Sequence, residues 1–331
     1  MDFILIVLIV ISFIIAILTT GIIKNKFSQQ LLDIPNQRSS HSQPTPRGGG
    51  LGFIIAFAFT GATVSLIFHQ PLTPHFLPLW LALTPLAVIG IIDDNKGVPA
   101  PIRYLVQLTT AGIAVTGFGG FPQPWLLKLG TIGMVLVITL TIIGITALIN
   151  FYNFMDGLDG LVASVTSVQL TFLAFYLQQP LLLLLTAALL GFLYWNWSPA
   201  KIFMGDAGST VLGATVAIAI LNTDNLAQAG SAIAVTLPLL GDAIYTIFCR
   251  LIRGENIFKA HRTHLYQRLQ QSGWLHSQVA LTYLIVTGAI ILAITTLGSI
   301  GSWLSLVGII AAIGIGEIYL NWGRIWRIDN G

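Results

Sequence analysis

Apolar residues fall in long runs separated by short polar intervals, not in the alternation of a half-buried strand or the stripe of a surface helix. A helix that crosses a bilayer needs roughly 20 mostly apolar residues, and stretches near that length recur about eleven times. The predicted spans are 3–23, 48–68, 76–92, 103–119, 131–149, 158–177, 180–195, 209–222, 229–250, 278–297 and 301–320. Only the connections 24–47 and 250–277 are long. The pattern predicts an all-α fold: a polytopic integral membrane helical bundle of about eleven transmembrane helices, formed as a single domain over 1–331.

Composition agrees with that solvent. Of the 331 residues, 55% are hydrophobic and 8% charged, about a third of the charge expected of a soluble domain. One cysteine, Cys249, excludes a disulfide scaffold. The first span has Asp2 in front and Lys24 and Lys26 behind, without the positive flank and small-residue cleavage site of a secretory signal, and is expected to remain a membrane helix. With the N-terminus outside, every basic residue except Lys128 falls on one side of the bilayer. The positive-inside bias makes that side cytoplasmic, and the C-terminal tail lies there too.

Carboxylates are costly near hydrocarbon and usually functional there. On the cytoplasmic side they gather with other polar groups in four clusters: Asp93-Asp94, the run from Asn150 to Gly160, the segment Phe203 to Ser209, and the segment His261 to Arg268. Asn150, Asn153, Asp156 and Asp159 recur every third residue and would form one polar stripe on a helical turn. Carboxylate and carboxamide oxygens suit a hard cation such as magnesium, although Asn150 or Asn153 could instead cap a helix start. Asp93 and Asp94 could be a solvated helix end, or carboxylates relieved by a divalent ion or by Lys96 and Arg103.

Gly205-Asp206-Ala207-Gly208-Ser209 reads as a turn entering a helix, where free N–H groups meet phosphate and Asp206 meets a metal; it is also a common turn sequence. His261 and His264 have the spacing of a zinc pair but no third ligand beside them, and Arg262 and Arg268 suggest an anionic ligand or a loop that only sets topology. Pro44-Thr45-Pro46-Arg47-Gly48-Gly49-Gly50, with Arg38 and His41 before it, reads as a shaped loop opening the second span.

This ordered set resembles the polyprenyl-phosphate N-acetylhexosamine-1-phosphate transferases, over nearly the whole chain. The resemblance rests on Pro44–Gly50, Asp93-Asp94, Asn150-x-x-Asn153-x-x-Asp156-Gly-x-Asp159-Gly, Phe203-Met-Gly205-Asp206-x-Gly208-Ser209 and His261-Arg262-x-His264-x-Tyr266-Gln-Arg268. It implies a magnesium-dependent enzyme, with manganese as a substitute, that moves a sugar-1-phosphate from a UDP-N-acetylhexosamine to a polyprenyl phosphate and releases UMP. The span count and the His-Arg-x-His loop look more like the branch that initiates O-antigen and related envelope polysaccharides than like the phospho-MurNAc-pentapeptide transferases, which are kept as the alternative.

By the same resemblance, Asp206 is expected to ligate the metal, with Asn153 and Asp156 in the same set. Phe203 would stack on uracil and Asp159 hydrogen-bond it. Arg47, Asn150, His261, Arg262 and His264 would contact the donor, and Asp93, with Asp94 beside it, is the proposed base. A lysine often follows the Asp-Asp pair in such proteins; here Lys96 and Arg103 both qualify. A phosphate monoester is mostly a dianion above its second pKa of about 6, which favours direct attack by the lipid phosphate over an aspartyl-phosphate route. Expected partners are the UDP-sugar, the polyprenyl phosphate and the bilayer of a bacterial plasma membrane, with a homodimer compatible and no nucleic acid. A transporter is the competing class, but the polar clusters lie at span ends and no internal repeat is found.

Overall fold

The computed structural model describes residues 3–27, 31–35, 40, 43–68, 76–223, 225–257, 259 and 261–329; Arg38 and His41 lie outside them. Among these residues the chain runs α1 Phe3–Lys26, β1 Leu32–Asp33, β2 Thr45–Pro46, α2 Gly50–Phe68, α3 Phe76–Lys96, α4 Ala100–Phe118, a short α5 Pro124–Leu127, α6 Gly130–Met155 and α7 Leu161–Tyr176. It continues with α8 Leu182–Asn196, α9 Asp206–Leu221, α10 Leu226–Ala234, α11 Leu237–Ile252, α12 Leu265–Gln271, α13 His276–Leu297 and α14 Ser299–Asp329. The protein is a nearly all-α, multi-pass membrane protein; among the described residues the one departure is the antiparallel β1–β2 ladder, with Leu32 opposite Pro46 and Asp33 opposite Thr45.

The bundle is organised around α9. Every residue from Ala207 to Leu221 is buried, the behaviour of a helix apolar on all sides. α3, α6 and α2 pack against it. Small residues set the approach: a Cβ on Gly213 would lie 2.8 Å from the Ile149 Cα, and one on Gly50 would lie 2.5 Å from the Gly208 Cα. With little hydrophobic force between helices inside lipid, such close backbone packing is the main source of cohesion. α1 packs on α8 and α2 at the opposite flank, and α7 joins α8 to α13.

Each of the eleven predicted stretches contains a helix, but they are not equivalent. α1, α3, α6, α13 and α14, together with residues 50–67 of α2, are six segments long and apolar enough to cross a bilayer. α7, α8 and α9 have only 15 or 16 residues. At 1.5 Å per residue they reach about 24 Å, short of the roughly 30 Å hydrocarbon core, and most of their residues are buried, with Phe175, Leu190 and Tyr194 exposed. The stretch 229–250, predicted as one span, is broken: α10 and α11 meet at an angle of 77°. Pro238 in the first turn of α11 lacks the N–H that would continue α10, and its ring excludes the preceding helical turn. Counting the pair as one crossing gives seven segments among the described residues that meet the length and composition of a span.

Candidate active site

The site is assembled at the N-terminus of α9. Gly205 precedes this helix with φ +79°, and a Cβ there would sit 2.9 Å from the Asp94 Cγ, so both the turn and the contact require glycine. The close approach brings the end of α3 onto the start of α9: the Asp206 N–H donates to Asp94 Oδ1 at 3.0 Å. A carboxylate at this position also meets the positive end of the α9 dipole. Asp94 is 6% exposed, and its Oδ2 has no hydrogen-bond partner.

Asp93, on the next position of α3, points elsewhere. Its Oδ1 accepts from the Val98 N–H at 2.5 Å and its Oδ2 from Arg103 Nη1 at 2.8 Å. Arg103 of α4 also reaches Asp206 Oδ2 at 3.4 Å. One guanidinium therefore bridges the carboxylates of α3 and α9. Of the two basic residues near the pair, Arg103 takes this place; Lys96, at the end of α3, is exposed.

Two cavities meet at Asp206. One, of about 330 Å³, is walled by Asp93, Arg103, Tyr104, Gln107, Asn150, Asn153, Lys259, His261 and His264, with Leu86, Ile89 and Ile257 as apolar lining. The other, of about 280 Å³, is walled by Arg47, Asp94, Asp156, Asp159, Asn196, Phe203 and His276. Gln267 borders both. Phe203 and Arg47 meet through backbone pairing, since the Phe203 N–H donates to Pro46 O at 2.8 Å and the Gly49 N–H to Phe203 O at 2.9 Å.

The predicted polar stripe is not one stripe. α6 ends at Met155, so Asn150 and Asn153 are helical whereas Asp156 and Asp159 lie in the following loop, and the four are divided between the two cavities. Nor does the run start a helix: α7 is preceded by Gly160 at φ +70° with no side-chain cap. Asn150 exchanges amide hydrogen bonds with Gln107, at 2.7 and 3.3 Å, and Asn153 Oδ1 accepts from Ser209 Oγ at 2.9 Å. The expected metal set of Asp206, Asn153 and Asp156 is correspondingly split, with Asp206 alone lining both cavities.

Burial pushes the Asp156 carboxyl up to about 7, and the charges of Asp94 and Asp159 push the same way. Burial would raise Asp159 as well, but the hydrogen bond and charge of His276, followed by the Ala200 N–H and Ser198, hold it below the usual carboxylate range. His276 Nδ1 lies 3.2 Å from Asp159 Oδ1, and its Nε2 is 3.2 Å from Ser40 O, so this imidazole ties the first long connection to the α6–α7 loop. The Ala200 N–H donates to Asp159 Oδ2 at 3.1 Å. Both Asp159 oxygens thus serve the loops around the cavity.

His261 and His264 stand together, ring centroids 4.9 Å apart. Burial, the neighbouring His264 and the charge of Arg250 push His261 down to about 4, so it is a neutral imidazole at physiological pH. Arg262 does not join them: it lines a separate cavity with Arg250, Arg253 and Arg268. The segment after His264, read as loop, is the helix α12, and its N-terminus is held by a residue outside the predicted clusters. Asp242 of α11 accepts from the Leu265 N–H at 2.8 Å, the Tyr266 N–H at 3.0 Å and the Tyr283 hydroxyl at 2.7 Å, and lies 3.6 Å from His264 Nδ1. A carboxylate inside an apolar run was the available signal for Asp242. His276, Gln107 and Tyr104 carry no comparable signal, because their placement depends on which helices meet; Gln267 lies within the His261–Arg268 segment.

Among the described residues no three His, Cys, Asp or Glu side chains form a ready-made metal cage. The donor set still fits magnesium: Asp94 presents a buried, unpartnered oxygen beside Asp206, and magnesium characteristically takes one or two carboxylates and completes its shell with phosphate oxygens and water.

These features define a multi-pass membrane protein with a carboxylate-rich polar centre where α3, α4, α6 and α9 meet. Residues 76–224, the stretch holding that centre, match the model of glycosyl transferase family 4. The chain is 30% identical over 319 residues to a Bacillus subtilis protein described as "Probable undecaprenyl-phosphate N-acetylglucosaminyl 1-phosphate transferase", covering 90% of this chain and 87% of that protein. It is 29% identical over 303 residues to the undecaprenyl-phosphate alpha-N-acetylglucosaminyl 1-phosphate transferase of Yersinia pestis, covering 84% and 78%. A phospho-N-acetylmuramoyl-pentapeptide-transferase of Paenarthrobacter aurescens is 39% identical over 114 residues, or 33% of this chain and 30% of that protein. The chain belongs to glycosyl transferase family 4.

Proposed function

We propose that the protein transfers N-acetylglucosamine-1-phosphate from its UDP conjugate to a polyprenyl phosphate, releasing UMP and forming the first lipid-linked intermediate of an envelope polysaccharide such as O-antigen. The observation that carries this reading is the convergence of Asp93, Asp94 and Asp206 between two cavities, with Arg103 bridging Asp93 and Asp206. The relatives covering most of the chain support it, being named for that transfer. On the eleven-span reading of the sequence, which crowds the basic residues on one side, the same polar face is assigned to the cytoplasm with the N-terminus outside.

The donor would occupy the cavity of Phe203 and Arg47, its uracil stacked on Phe203 and its ribose and diphosphate toward Asp156, Asp159 and Asp206. The acceptor phosphate would enter the cavity of Arg103, Lys259, His261 and His264, its prenyl chain leaving past Leu86 and Ile89. An acceptor oxygen attacks the sugar-linked phosphorus; that phosphorus parts from the bridging oxygen, which leaves on UMP. Asp93 already accepts from Val98 and Arg103, so it is placed to hold Arg103 against the transferred phosphoryl group while the acceptor reacts as its dianion. Magnesium, for which manganese would substitute, would be held by Asp206 with Asp94 and would neutralise charge on the diphosphate. His261, being neutral, has one donor and one acceptor nitrogen; with Nδ1 against Thr263 Oγ1 it would offer Nε2 to the acceptor phosphate.

Membranes containing the protein, given UDP-N-acetylglucosamine labelled in the sugar, are expected to yield labelled organic-soluble lipid only when polyprenyl phosphate is supplied. Label entering the lipid phase equally well with Asp206→Ala would sink the assignment of the site.

A further inference from the structure

Arg262 and Arg268, which suggest an anionic ligand in the sequence, are not absorbed by the reaction centre. They line a third cavity, of about 300 Å³, formed by α11, α12, α14 and the segment before α12. Its walls share no residue with the two cavities at Asp206. The segment divides the two regions: His261 and His264 face the acceptor cavity, while Arg262 and Thr263 face this one.

The charges here are unequal. Arg250, Arg253, Arg262 and Arg268 line the cavity, against Glu317 alone among the acids. Glu317 is held by Arg268, Nη2 to Oε2 at 2.8 Å. Arg250 donates Nη1 to Glu255 at 2.8 Å and Nη2 to the Asn256 carbonyl at 2.8 Å, yet at 5% exposure its Nε has no partner. Among the described residues the lining is therefore rich in guanidinium, and the buried Arg250 Nε is the donor left to meet an acceptor. A buried guanidinium N–H without an acceptor is costly, and planar guanidinium forks match the oxygen spacing of phosphate. Leu251 and Ile252, between Arg250 and Arg253 in sequence, are 56% and 70% exposed, an apolar surface at the end of α11.

We propose that this cavity is a binding site for a phosphate group, separate from the reaction centre. The group is either the headgroup of an anionic phospholipid, whose chains would lie along Leu251 and Ile252, or a free phosphate; recognition by Arg250 and Arg253 is the same for both. The site is independent of the transfer reaction, and its occupancy is read by binding.

The experiment measures the unfolding midpoint of the full chain in neutral detergent, titrated separately with inorganic phosphate, phosphatidylglycerol and phosphatidylcholine. A ligand that binds only the folded state raises the midpoint. Phosphatidylglycerol is expected to raise it and phosphatidylcholine to leave it unchanged; a rise with inorganic phosphate alone assigns the free anion. Arg250→Gln and Arg253→Gln should each weaken the response about tenfold, the loss of one charge-assisted hydrogen bond. Arg253 is exposed, so its variant carries the test even where Arg250→Gln does not fold. Arg103→Gln, in the acceptor cavity, should respond as the unaltered protein does. The proposal is overturned if neither phosphate nor phosphatidylglycerol raises the midpoint, if Arg253→Gln responds normally, or if Arg103→Gln alone abolishes the response.

Discussion

The two cavities that meet at Asp206 are built from different materials. The one beside Phe203 is bordered by loops and helix ends and is rich in acid: Asp33, Asp94, Asp156, Asp159 and Asp206 border it, with Arg47 as its one arginine among the described residues. The one beside Arg103 is walled by α3, α4, α6 and α9 together with the segment before α12, and there Asp93 and Asp206 are opposed by Arg103 and Lys259. An acid-rich cavity needs a cation before it can accept a diphosphate, whereas a balanced one accepts a phosphate monoester directly. The contrast is the reason the proposed mechanism puts the metal and donor on one side and the lipid phosphate on the other.

Asp206 is common to both, so its loss is the most damaging change. Asp206→Ala is expected to lower kcat by about 10³ or more, with folding retained, measured as UMP release by protein that still elutes as a single species in detergent. Arg103→Ala follows, with about 10² to 10³ lost from kcat, because one preorganised cation then no longer faces the transferred group. Phe203→Ala is expected to raise the KM for the UDP-sugar about tenfold, the usual worth of base stacking, and to leave the KM for the lipid within about twofold. If both KM values rose together, the division between the cavities would be wrong.

Asp242→Ala leaves two α12 N–H groups and a tyrosine hydroxyl without their acceptor. It should destabilise the protein by about 2–4 kcal/mol in an unfolding titration, and activity should fall through the His264 segment. The smallest effect concerns His261. Its folded pKa of about 4 lies below the unfolded value near 6.5, so the unfolded chain binds more protons between those values and stability falls on acidification through that window. His261→Gln should flatten the dependence of the unfolding midpoint between about pH 6.5 and pH 4 while leaving the activity optimum in place.

The course of the helices was legible in the sequence because it follows from the length of apolar runs, and Gly205-Asp206 was legible because turn chemistry is local. The break at Pro238 was missed: residues 229–250 keep their hydrophobicity through it, and hydropathy does not register a bend. The stripe from Asn150 to Asp159 was misjudged for a related reason. Its period of three residues assumed a continuous helix, and α6 ends at Met155, before the third member. Arg262 was assigned by its neighbours in sequence, yet successive residues of a turning segment face opposite sides, and it lies away from His261 and His264. His276 and Gln107 depend on which distant helices touch, and a single chain without that map contains no sign of them.

The central claim is that the phosphorus next to the sugar travels with it. A UDP-N-acetylglucosamine carrying radioactive phosphorus at that position, incubated with the protein and polyprenyl phosphate, is predicted to give labelled lipid and unlabelled UMP in equal amounts. Labelled UDP with an unlabelled lipid product would mean that the sugar moves alone, and would contradict the account.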